Sequence, residues 1–327
     1  MKSKYSMLGA SALLALTLSA CGNGEEATKE VKVEAESPSI ETKQKNEVQA
    51  EQTITYLDQE YSLPAEINSI VAASLESMED AAILGVKPVG VLAIANAIPS
   101  YLVDELEGAS LVGDKFAPNN EAILGLNPDV ILGSSKHGEE VVTALNKIQT
   151  MIPYSHISTN WKENLLLLGQ LSGKEVEANT IISEYEEKSA EAKDQLKELK
   201  DKKVLVLRIR QGSINVYPEN IYLNPVLYED LGLAVPEAVA KAEAQSELAL
   251  EGLAEINPDY IFLQFETTEN KDNPAALEEL LENPIFKSTE AVKNDHVFVN
   301  AVDPLAQGGT AWSKVKFLEA AITNLTK

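Results

Sequence analysis

The chain has 327 residues, with 51 acidic side chains against 27 basic ones and a formal net charge of −24. So acidic a body offers no face to nucleic acid, whose phosphates demand a basic surface, and anionic lipid headgroups repel it. Its single cysteine, Cys21, excludes an internal disulfide.

The opening "MKSKYSMLGASALLALTLSACGNG" runs from Lys2 and Lys4 through an apolar stretch to Leu18-Ser19-Ala20-Cys21. A basic start, a short apolar centre and small residues before a cut site predict a secretory signal over 1–20. The thiol directly after Leu-Ser-Ala resembles the lipobox of bacterial lipoproteins. That resemblance implies lipidation of Cys21, with acyl chains such as palmitate, and anchoring on the extracytoplasmic face of the cell membrane. Residues 21–52 are rich in Glu, Lys, Ser and Gln and nearly free of large apolar side chains. They cannot bury enough surface to offset the entropy of ordering, and read as a tether.

From residue 66 short apolar runs alternate with helical patterns. Strands are expected at 67–73, 88–94, 110–114, 129–135 and 151–157, and helices at 75–85, 101–108, 119–126 and 138–148. This alternation predicts a mostly parallel sheet flanked by helices, an N-terminal α/β lobe over 53–173. Residues 174–200 lack Gly and Pro and carry an apolar stripe, which predicts one linking helix about 40 Å long. Ser172 and Glu175 have the spacing of a capping box at its start. The alternation then resumes as a similar lobe over 201–327, with strands at 202–209, 259–265 and 296–302 and helices at 225–233, 248–256, 273–283 and 311–326.

Two stretches echo each other across that helix. "EAILGLNPDVIL" begins at Glu121 and "EGLAEINPDYIFL" at Glu251, each with five residues between Glu and Asn-Pro-Asp. In both, Asn-Pro ends a helix and the Asp opens a buried strand. With the lipobox, the acidic tether and the linking helix, this pairing resembles the substrate-binding lipoproteins of iron–siderophore ABC importers, over residues 66–327. The resemblance implies two rigid α/β lobes with little closure, a monomeric receptor without enzymatic activity, and delivery of a ferric siderophore to a permease. It also implies that Glu121 and Glu251 dock the two permease subunits.

Ligands of α/β sheets sit outside the C-terminal ends of the strands. Those ends carry Lys115, Lys136, His137, His156 and Trp161 in the first lobe, and Arg208, Arg210 and Gln264 in the second. Arg208 and Arg210 are the only arginines, and their i, i+2 spacing points both to one face of a strand. Their planar donor forks, beside Lys115 and Lys136, predict a basic cleft for an oxygen-rich or anionic ferric complex. Tyr217, Tyr222, Trp161 and Trp312 are candidate aromatic linings. "QGGT" (307–310) lacks the context of a phosphate loop and reads as a flexible turn before the last helix. The three histidines are scattered, so no direct metal site is expected: the iron arrives already chelated. Overall resemblance favours a hydroxamate siderophore. A catecholate, haem (with Met78 or Tyr222 as axial ligand) or cobalamin are alternatives within the family. An extracytoplasmic enzyme or a sensor or adhesion lipoprotein stand outside it. Against an enzyme, no nucleophile–base motif occurs.

Overall fold

A computed structural model describes residues 50–326; Cys21, the signal segment and nearly all of the tether lie outside them. The ordered chain opens with a hairpin, β1 (Glu51–Tyr56) and β2 (Gln59–Pro64). This corrects the tether's expected end at 52. Ile54, Tyr56 and Leu63 point inward at alternate positions, and the Tyr56 hydroxyl bonds Asn164 and the Ser155 amide.

The first lobe continues with β3 (Ile70–Ala73), α1 (Leu75–Leu84), β4 (Gly90–Ala93), β5 (Ser110–Asp114), β6 (Ala117–Pro118), α2 (Asn120–Leu126), β7 (Val130–Ser134), α3 (Glu139–Asn146), β8 (Met151–Tyr154) and α4 (Trp161–Ser172). Its sheet order is β6-β5-β4-β3-β7-β8, parallel except for the edge pair β5–β6. β3, β4 and β7 are buried along their whole length, as strands covered on both faces must be. In place of a helix at 101–108 stands a single 3-10 turn, Ser100–Leu102.

α5 (Glu175–Gln195) follows, about 31 Å at the usual rise. It is shorter than expected because Leu196 leaves helical geometry before a 3-10 turn at Lys197–Leu199. Ser172 does not cap it. Its hydroxyl donates to Leu168 within α4, and Gly173, at φ +66°, ends that helix. α4 buries Leu165, Leu167, Leu168 and Leu171 and leaves Glu163, Leu166 and Gln170 outward, so the unbroken run Leu165 to Leu168 carries one leucine on the exposed face and blurs the period.

The second lobe holds β9 (Val204–Arg210), β10 (Ser213–Val216), α6 (Glu237–Ala240), β11 (Ser246–Glu247), α7 (Leu250–Ile256), β12 (Tyr260–Phe265), α8 (Ala276–Glu282), α9 (Pro284–Lys287), α10 (Glu290–Lys293), β13 (Val297–Val299) and α11 (Ala311–Leu325). Its order is β11-β10-β9-β12-β13: β9, β12 and β13 run parallel, whereas β10 folds back on β9 as a hairpin and β11 pairs antiparallel with β10. Residues 225–233 form a short π-type turn, Val226–Asp230.

The repeated Asn-Pro-Asp does one structural job twice. Asn127 and Asn257 end α2 and α7 at φ +46° and +47°, the left-handed geometry that asparagine tolerates. The following aspartate then straps its strand to the lobe's central one. Asp129 accepts from the Asn68 and Ser69 amides and the Ser69 hydroxyl, while Asp259 accepts from the Lys203 amide and Lys202 Nζ. Burial pushes the Asp259 carboxyl up, but these donors outweigh it and hold it below its usual range.

The joint between the lobes is not the linking helix alone. Tyr185 of α5 donates to Asp230 of the second lobe, and Lys314 of α11 reaches the same carboxylate at 2.6 Å. On the other side, α1 sends two fully buried carboxylates to the start of α11. Asp80 accepts the Ala311 amide, and Glu79 accepts Thr310 Oγ1, Ser313 Oγ, the Gln307 amide and Tyr101 OH. Negative charge suits a helix N-terminus. Desolvation nevertheless pushes Glu79 up to about 7, its four donors pulling it back only in part, and burial likewise raises Asp80 well above its ordinary carboxylate range.

Candidate functional site: the cationic cleft

Between the lobes, at the C-terminal ends of both sets of strands, lies a cleft of about 630 Å³. The first lobe contributes Glu76, Lys115, Phe116, Lys136, His137 and His156; the second contributes Arg208, Arg210, Tyr217, Tyr222, Gln245 and Glu269. Arg208 and Arg210 reach it together, as the alternation of a strand requires. Four cationic side chains face three carboxylates (Glu76, Glu243 and Glu269), so this is a locally positive hollow in an acidic protein.

Each cation is held. The Arg208 guanidinium lies 5.2 Å from the centre of the Tyr222 ring and donates to Glu269 Oε2 through Nη2 at 2.8 Å and Nε at 3.2 Å. Burial disfavours its charge, but Tyr222 and Glu269 reverse the balance and raise its pKa. Arg210 bonds Gln245 Oε1 through Nη1, and Tyr217 OH donates to that same oxygen. Lys136 pairs at 2.8 Å with Glu76, a carboxylate buried in the first turn of α1. Lys115 stands 3.5 Å from Glu269 and 5.0 Å from the centre of the Phe116 ring. His137 and His156 are pushed below the usual imidazole range, first by burial; Lys136 adds to the effect in both. His156 Nδ1 lies 2.8 Å from Ser135 Oγ.

Six of the nine expected ligand contacts therefore meet in the cleft: Lys115, Lys136, Arg208, Arg210, Tyr217 and Tyr222. Three do not. Trp161 is the first residue of α4, not a loop residue, and packs edge-on to Tyr185 at 5.0 Å with the Lys314 ammonium over its ring. Gln264 is fully buried and donates to the Val302 carbonyl. Trp312 lies on α11 against Tyr101 and lines a different surface hollow. Sequence reasoning missed Phe116, Gln245 and Glu269. Phe116 follows directly on Lys115 at a strand end and was findable there; Gln245 lies in a loop and Glu269 in a 3-10 turn, Thr268–Asn270, and no motif marks either.

"QGGT" is no flexible turn, since Gly308 and Gly309 are buried. A Cβ on Gly308 would lie 2.3 Å from the Tyr222 carbonyl, so this glycine lets the loop pass beneath Tyr222, itself held at φ +61°. Met78 is fully buried in α1 and cannot offer an axial bond in the cleft. Among the described residues no group of three or more His, Cys, Asp or Glu is placed to hold a metal, and no helix is long and apolar enough to cross a membrane.

Two lobes bridged by a helix, with a polar cleft at the strand ends, describe a solute-binding protein. The family model described as periplasmic binding protein matches residues 70–301, and the chain belongs to that family, whose members are substrate-binding proteins rather than enzymes. The iron-uptake system-binding protein of Bacillus subtilis (strain 168) is 48% identical over 317 residues, covering 96% of each chain. Among solved structures, the triscatecholate siderophore binding protein FeuA from Bacillus subtilis, complexed with ferri-bacillibactin, matches with a TM-score of 0.81 at 50% identity. That match covers 84% of this chain and 98% of FeuA. Staphylococcus aureus SirA complexed with staphyloferrin B matches at a TM-score of 0.72 and 25% identity, over 84% of this chain and 98% of SirA. These neighbours share the two-lobed architecture.

Proposed function

We propose that this protein is the extracytoplasmic receptor of an iron-uptake system and binds a ferric triscatecholate siderophore in the cleft. The observation that carries this is the set of Lys115, Lys136, Arg208 and Arg210 converging on one hollow. Ferric iron in three catecholates keeps a net negative charge, because each catecholate brings two charges; in three hydroxamates it is neutral. Charge-assisted hydrogen bonds to oxyanions therefore favour the first ligand. The 48% identical relative and the ferri-bacillibactin complex of FeuA support the same choice. The hydroxamate preference expected from overall resemblance gives way to the catecholate alternative.

In this reading the first lobe runs from 51 to 173, residues 174–200 link it to the lobe at 201–327, and a lipid on Cys21 tethers the monomer to the membrane. Glu121 and Glu251 are the permease contacts. Both are exposed at the second position of matching seven-residue helices, α2 and α7, which sit at equivalent places on the two lobes.

The test is direct titration with ferri-bacillibactin, ferrichrome, ferric citrate and haemin, read by calorimetry because neither tryptophan lines the cleft. Submicromolar binding of ferri-bacillibactin with at least tenfold weaker ferrichrome is expected; the reverse order refutes the catecholate reading. Replacing both Glu121 and Glu251 by Ala leaves that affinity within twofold and lowers cellular iron uptake at least tenfold. Unchanged uptake removes the docking assignment.

A further inference from the structure

Among the described residues, Glu269 is the one acidic group that touches cations of both lobes. Its Oε2 accepts from Arg208 and lies 3.5 Å from Arg210 Nε, while Oε1 lies 3.5 Å from Lys115 across the cleft. The carboxylate is not on a loose loop. Asn270, fully buried, donates to the Ile209 and Glu266 carbonyls and accepts the Gly212 amide; the Gln211 amide donates to the Glu269 carbonyl. Glu266 caps the turn through the Thr268 amide and hydroxyl. The fold thus fixes an anion in the middle of a basic site, where an incoming anion must meet it.

Neutralising the buried Arg208 would need only the paired Oε2. The second oxygen, aimed at the opposite lobe, is surplus to that need. We propose that Glu269 is a resident counter-anion that sets the charge selectivity of the cleft. It ties Lys115 to the arginines when no ligand is bound, and it yields them only to a complex carrying several negative charges. This rests on the reading of the cleft as a receptor for anionic ferric complexes and adds the residue that tunes it.

The charge, not the shape, is the active property, so the test is Glu269→Gln against Glu269→Asp. Affinities for ferri-bacillibactin, ferric citrate and ferrichrome are measured from low to physiological salt, and thermal melts check folding. Removing one negative charge within a few ångströms of a multiply charged ligand is expected to tighten ferri-bacillibactin about tenfold at low salt and to steepen its salt dependence. Ferrichrome stays within twofold, and Glu269→Asp, which keeps the charge but shortens its reach to Lys115, tightens ferri-bacillibactin less than Glu269→Gln does. Should Glu269→Gln fail to fold, Arg210→Gln/Glu269→Gln compared with Arg210→Gln carries the same charge test.

Any result in which loss of the carboxylate fails to favour the more charged complex overturns the proposal, including equal changes for all complexes. If ferric citrate binds and ferri-bacillibactin does not, the catecholate reading falls and the charge rule is read on citrate. If only ferrichrome binds, both fall.

Discussion

Glu79→Ala probes the joint that holds the lobes. The substitution strands Thr310 Oγ1 and Ser313 Oγ, both on fully buried residues, and releases the Gln307 amide and Tyr101 OH, which are only partly buried. A stranded buried donor costs about 1–3 kcal/mol and a partly wet one about 0.5–1.5 kcal/mol, less what is regained by no longer desolvating a carboxylate. The balance is about 3–5 kcal/mol, which for a body of this size lowers Tm by roughly 10 °C. The pH profile adds an independent check. Glu79 is pushed up to about 7, so the folded state binds a proton that the unfolded state has released above its ordinary carboxylate range. Its contribution is full below pH ~4.5 and is lost as pH rises through about 7, a span worth about 3 kcal/mol. The gap between wild type and Glu79→Ala therefore widens on acidification from pH 7.5 to 5, with Asp80 present in both proteins. Differential scanning calorimetry across that range reads both effects. A Tm drop below about 3 °C, or a gap that narrows towards pH 5, refutes the reasoning.

Gly308→Ala places a methyl 2.3 Å from the Tyr222 backbone at φ +80°, and neither backbone can retreat into open space. A loss of about 3 kcal/mol or more is expected by chemical denaturation, with weaker siderophore binding as Tyr222 shifts. Arg210→Met removes a cleft cation whose side chain is only one-third exposed yet not needed to fill the core, and should weaken ferri-bacillibactin about 10- to 100-fold with Tm within ~2 °C. Asp129→Ala deletes three hydrogen bonds that start β3 and should cost about 2–4 kcal/mol by urea melt. Asp259→Ala, whose donors are the Lys203 amide and an exposed lysine, should cost less.

Much was legible along the chain because it is local. Apolar runs placed β3, β4, β7, β9 and β12 to within a few residues, the Asn-Pro-Asp echo exposed the paired lobes, and the i, i+2 spacing of Arg208 and Arg210 put both on one face of β9. Sequence by itself thus determined the α/β class, the linking helix and the basic core of the cleft. Tertiary structure decided which ring or amide at a strand end faces the ligand: Trp161 and Gln264 turn into the joint and the core, since burial depends on the elements that arrive from elsewhere. It also decided the partner of each charge. Glu269 lies about sixty residues from the arginines it binds, and Glu79 more than two hundred from the helix start it caps. No period or motif encodes such pairs; only closing the chain brings their charges within hydrogen-bond reach.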